Sequence, residues 1–69
     1  MAMKDLAIQA AEDAFKDGVK KAASALSTAL ILAKSDQDRE TARENHKHAL
    51  VFCQQVLEIQ RAEIQVQFP

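Results

Sequence analysis

His46, His48 and Cys53 are the side chains of this 69-residue sequence whose types suit metal binding or nucleophilic chemistry. On a helix, residues two apart point in different directions, so His46 and His48 cannot chelate one ion together. His46 and Cys53 share a helix face, and a zinc site there would need a second subunit to complete it. We favour the alternative, in which His46 is a half-buried residue that sets the register of helix packing.

Cys53 lacks the neighbours that would activate a thiol. A catalytic cysteine needs an adjacent base and a group that orients this base, and His46 lies two helical turns away. We therefore predict that Cys53 is a small buried apolar residue. A single glycine, Gly18, excludes a glycine-rich phosphate loop. We expect a non-enzymatic protein with no catalytic residue, no bound metal and no cofactor.

Four basic side chains surround the predicted turn between two helices: Lys34, Arg39, Arg43 and Lys47. In a dimer they could form a strip that holds RNA or a phosphate. Acidic residues are interspersed at spacings that favour pairing along the helix. The formal net charge is −1, from 9 Lys and Arg against 10 Asp and Glu, which excludes a strong positive field. Nucleic-acid binding is therefore the second interpretation.

Residues 4–34 are rich in Ala, Leu and Lys, which favour helices. Steps of 100° per residue align one apolar stripe along this predicted helix: Ile8, Ala11, Phe15, Val19, Ala22, Leu26 and Ala29. The stripe keeps its phase across Gly18, which favours one continuous helix over a helix that ends at this glycine. Gly18 would then permit a close backbone approach or a mild bend. An alanine band lies beside the stripe, from Ala7, Ala10 and Ala14 to Ala25, and suits a close helix contact.

Residues 34–38 form the predicted turn, with Ser35 or Asp36 as the cap of a second helix over residues 36–63. A short turn makes the two helices antiparallel neighbours. Residues 64–69 alternate strictly between apolar and polar, which is the period of a strand. This pattern leaves two alternatives open: an extended tail that could add to the edge of a sheet, or a helix end whose residues happen to alternate.

The second helix carries two apolar stripes on nearly opposite faces. The first is predicted to pack in the core or dimer contact and contains His46, Leu50, Cys53 and Leu57. The second is predicted to bind a partner and contains His48, Val51, Phe52, Gln55, Ile59 and Ala62. A helix in a small monomer needs one apolar stripe, so the second must be covered by another chain.

The chain is predicted to be one domain over residues 1–69 with an all-α fold. Its core supplies about 3–5 kcal/mol, and with neither a disulfide nor a metal, association is the remaining source of stability. We expect a two-helix antiparallel hairpin that dimerises into a four-helix bundle. The dimer seam is either the alanine band or the Phe52–Ile59 stripe, and the other surface is left for a target.

In length and predicted architecture the chain resembles Rop-type RNA-binding plasmid proteins and small phage-encoded inhibitors of host regulators. No residues are carried over from either family. We expect a regulator or inhibitor that binds a target protein through an apolar helix face, with a Rop-like RNA-binding bundle as the alternative. The longest uncharged, mostly apolar run, Ala22 to Ala33, is shorter than the roughly 20 residues that cross a bilayer. The lack of a secretory signal and the lone cysteine predict a cytoplasmic protein with no membrane partner.

Overall fold

The computed structural model describes residues 2–69, and Met1 of the predicted domain lies outside them. Helix α1 spans Met3–Leu32 and helix α2 spans Asp36–Gln67. The two helices pack against each other along their length. Near the chain ends, Lys4 Nζ donates a hydrogen bond to Gln65 Oε1 at 2.8 Å, so the helices run antiparallel. The predictions of an all-helical fold and of two helices in contact are confirmed.

Helix α1 continues through Gly18 without interruption. The reason for a glycine at this position lies across the helix contact. A Cβ atom built on Gly18 would lie 2.9 Å from Cys53 Sγ, closer than real side-chain atoms approach. The missing side chain therefore lets Cys53 of α2 sit directly against the α1 backbone, which is the close approach that the sequence predicted.

Ser35 begins α2 as its N-cap. Its Oγ accepts a hydrogen bond from the Asp38 backbone N–H at 3.1 Å, while Asp38 Oδ2 accepts from the Lys34 N–H at 3.0 Å. Such caps stabilise a helix by about 1 kcal/mol because the first N–H groups have no partner within the helix. The capping contacts thus hold the turn of residues 33–35 between the helices. Helix α1 ends at Leu32, two residues before the predicted boundary at residue 34.

Of the two alternatives left open for the tail, the helix end holds for residues 64–67, which are helical and belong to α2. Ile64 is buried in a cluster with Ala11 and Leu57, and Phe68 packs against the same cluster. The Phe68 N–H also donates to the Ile64 carbonyl at 2.9 Å. Residues four apart lie on one helix face, so helical geometry brings both side chains to the core. Burial of this pair outweighs the strand-like alternation, and residues 2–69 contain no strand.

The core of the hairpin is thin. Every predicted core position is buried or half-buried. Few side chains are well covered, and the buried ones are Ala11, Ala22, Ala42, Leu57 and Ile64. None of the side chains described is completely enclosed. The Cα atoms extend 51 × 17 × 8 Å, which is a single layer of helices. Stable domains bury a core between two layers, so one face of this layer lacks its cover.

Substitution of Gly18 by Ala should destabilise the hairpin although alanine is the better helix former. The helix gains about 1 kcal/mol in propensity. The added methyl group overpacks against Cys53 Sγ, at a typical cost of about 1–3 kcal/mol. In a Cys53→Ala background the sulfur is gone, and the remaining Cβ at position 53 lies 3.9 Å away, an ordinary contact. Gly18→Ala should then be stabilising.

Urea unfolding of the four variants at one protein concentration measures this double-mutant cycle. If Gly18→Ala raised the free energy of unfolding equally in both backgrounds, Gly18 would have no role in the close approach of Cys53.

Candidate interaction face

One broad surface beside the helix contact combines side chains of both helices. Phe52 of α2 and Ala14 of α1 line a depression of about 170 Å³. Ile59 lines a second depression, of about 410 Å³, with Ala7 and Ala10. We call this surface the front face, and it contains Ala7, Ala10, Ala14 and Ala25 of α1 with Ala49, Phe52, Val56 and Ile59 of α2.

The front face has a ridge of large side chains beside a flat area of small ones. Phe52 is 66% exposed and Ile59 is 62% exposed, although both are strongly apolar. The alanines of α1 give the neighbouring surface a low profile into which a facing side chain fits. An exposed aromatic anchor next to shallow apolar depressions is the arrangement found at the centre of protein interfaces.

The structure divides the predicted partner-binding stripe into two parts. Phe52 and Ile59 border the front face, whereas Ala62 lines a separate depression with Ile8 and Arg61. Helical steps of 100° from the buried Leu57 direct the whole stripe away from α1; Phe52 and Ile59 turn towards the alanine band, and the other residues form a surface on the remaining side. We call this surface the outer ridge, and it contains His48, Val51, Gln55, Ala62 and Val66. All five side chains are exposed, Val66 to 75%.

The alanine band and the Phe52–Ile59 stripe are not separate surfaces, as the sequence analysis had treated them. Ala14 and Phe52 border one depression, and Ala10 and Ile59 border another. A chain that docks on one must therefore contact the other as well. They are adjacent because of how far each helix is rotated about its axis, a rotation at which Cys53 packs on Gly18.

The histidines and Cys53 do not come together as a site. His46 and Cys53 are half-buried on the side of α2 that faces α1, and Cys53 contacts Gly18. His48 Nε2 lies 3.9 Å from Glu44 Oε2 on the exposed surface. Within the described part of the chain, no cluster of three or more His, Cys, Asp or Glu side chains is arranged to hold a metal ion.

The two arginines near the turn lie beside carboxylates of their own helix. Arg39 forms an ion pair with Asp36, and Arg43 Nη2 lies 3.6 Å from Glu40 Oε2. Lys34 and Lys47 are exposed. Ion pairs with neighbouring acidic groups reduce the positive potential that a nucleic-acid phosphate would meet. This end of the hairpin has the character of a solvated helix surface.

Comparison of the chain with family models, with curated proteins and with solved structures finds no match in any of the three. Neither of the two helices described is apolar enough over a sufficient length to cross a membrane. What the front face and the outer ridge do must therefore be inferred from the chemistry of their own side chains.

Proposed function

We propose that this chain is a protein–protein interaction module of the regulator or inhibitor type, without catalytic chemistry. Two hairpins join through their front faces into a four-helix bundle, and the outer ridge of α2 contacts a target protein. One observation carries this proposal: a hairpin one layer thick exposes large apolar side chains, with Phe52 and Ile59 among them on its front face.

The accessible surface of the hairpin supports this dimer. It amounts to 5357 Å². A compact monomer of the same mass, 7.6 kDa, exposes about 4,300 Å². The excess of about 1,000 Å² is close to the area that each subunit contributes to a stable protein interface, at least about 800 Å². A second copy on the front face would bring the surface per chain back to the range of compact proteins.

The outer ridge supports a contact with a target. It points away from α1, so it stays accessible after two front faces have joined. Val51 and Val66 are exposed apolar side chains, with the polar His48 and Gln55 beside them. An apolar centre with a polar rim is the composition of a surface that binds another protein. In this arrangement Phe52 and Ile59 of the predicted partner stripe serve the dimer, and the remaining residues serve the target.

The RNA-binding alternative lacks an observation in its favour. It requires the basic residues near the turn to create a strong positive field in a dimer. Both arginines of this cluster lie beside carboxylates, and the formal net charge of the chain is −1. We therefore propose binding to protein alone.

The dimer is tested by two matched double variants. Phe52→Asp with Ile59→Asp places two charges on the ridge of the front face, where desolvation of a carboxylate in the dimer is costly. We expect its mass in light scattering to fall from about twice 7.6 kDa to that of one chain. Val51→Asp with Ala62→Asp puts the same charges on the outer ridge and should leave a dimer. Because the chain has no Trp or Tyr, concentration is read by refractive index.

A monomeric wild type at micromolar concentration would refute the dimer. So would a Phe52→Asp, Ile59→Asp variant that dimerises as tightly as the wild type.

The target contact is tested with the same three proteins as immobilised baits in an extract of the source organism. We expect a protein that the wild type retains and that the dimeric Val51→Asp, Ala62→Asp variant loses by at least about tenfold, since each buried charge costs more than 1.4 kcal/mol. Candidate targets are then verified with purified proteins. If purified candidates bound wild type and the outer-ridge variant equally, the outer ridge would not be the target contact.

A further inference from the structure

We infer that the front-face dimer responds to pH through His46, so that protonation of this histidine causes the two copies to dissociate. The inference rests on the proposed function, in which the front face is the dimer seam. It holds whichever end the turn of the second copy occupies, because a copy that covers the front face covers the surroundings of His46 in both cases.

His46 lies where the seam would close over it. The residue is half-buried on the side of α2 that faces α1. Its side chain lines a depression of about 140 Å³ together with Ala25 and Ala49, both of which belong to the front face. A second copy on the front face therefore covers this depression and excludes water from the imidazole.

The walls of the depression offer a positive charge no partner. Besides the three residues just named, they consist of uncharged side chains of both helices: Ala22, Leu26, Ala29, Ala42 and Asn45. Within residues 2–69 the imidazole of His46 forms neither a hydrogen bond nor an ion pair. An imidazolium enclosed in such a site loses its hydration without compensation, whereas the neutral form loses much less.

The charged neighbours of His46 on its own helix also oppose protonation. Helical steps of 100° place Arg43 about 60° and Lys47 about 100° from His46, and Arg39 lies two turns away on the same side. The acidic Glu44 lies about 160° away, on the outer side of α2. Positive neighbours disfavour a further positive charge.

Helix α1 supplies no acidic side chain at this height. Because Gly18 lies against Cys53 and the helices are antiparallel, the second half of α1, residues 18–32, lies beside the first half of α2. The charged residues of this half are Lys20 and Lys21, and it contains no Asp or Glu. Neither helix of the hairpin therefore holds a carboxylate against His46.

A second front face brings few charged groups. Helical steps place Lys21 and Asp17 of α1 and Asp38 and Glu63 of α2 on this face or at its edge. The rest of the face is apolar, so its cover over the depression excludes water. A carboxylate of the second copy beside His46 would instead tighten the dimer at low pH, and the sign of the pH dependence distinguishes the two cases.

The direction of the effect follows from linkage. Histidine changes its charge between pH 5 and 8, and the chain has two, His46 and His48. The second of these lies exposed on the outer ridge. Because the dimer binds the proton of His46 less well than the monomer does, the affinity is full above this pH range. It falls as the pH decreases through the range.

The dissociation constant of the dimer, measured by light scattering on dilution at about pH 7 and about pH 5.5, tests this. We expect the wild-type value to rise at least about tenfold at the lower pH. His46→Gln removes the titrating group and should make the value constant within about twofold. His48→Gln is the matched control and should retain the wild-type dependence.

Proton NMR titration of the wild type follows each imidazole directly, and the His48→Gln variant assigns the two signals. By mass action, the titration midpoint of His46 should fall as protein concentration rises through the dissociation constant. The midpoint of His48 should not change with concentration. A concentration-independent midpoint for His46 would place its imidazole outside the seam and overturn the inference.

The outcomes separate this inference from the proposed dimer. A monomeric mass at both pH values would overturn the dimer and the inference together. A dimer whose dissociation constant is unchanged or lower at about pH 5.5 would overturn the inference alone. So would a His48→Gln variant that loses the pH dependence.

Discussion

The contact between Gly18 and Cys53 is the constraint on which the rest of the hairpin depends. It brings the two helices close at mid-height and determines how far each is rotated about its axis. That rotation turns the Ile8–Phe15 line of α1 towards Leu57 and Ile64, and it turns the alanine band to the same side as Phe52. One missing side chain thus decides both which residues form the core and which form the front face.

The second constraint is the thickness of the structure. A single helix layer covers one stripe of each helix, and here much of that stripe is alanine, which buries little apolar area. The larger apolar residues Phe52 and Ile59 lie where only another chain can cover them. Folding and association are then coupled, because a partner that binds the folded hairpin shifts the unfolding equilibrium by mass action. The stability of such a hairpin should increase with protein concentration.

Periodicity predicted the helices, the Ser35 cap and the core stripe correctly, because these depend on local spacing that the sequence displays. The conformation of residues 64–69 stayed open because their alternation is compatible with both a strand and a helix. Ile64 and Phe68 are four apart, and burial against Ala11 decided between the two periods. The front face was predicted only as two alternatives. The two alternatives form one surface because of how far each helix is rotated about its axis. The packing of Cys53 on Gly18 shows this rotation, whereas the apolar pattern of either helix alone does not.

The alanine band of α1 gives the front face little directional information. Alanine bands pack on one another in either direction, since small side chains make few distinctive contacts. In the proposed dimer, the exposed apolar area of the front face supplies the affinity. Both outer ridges then lie on opposite edges of a symmetric bundle, where each is accessible to a target.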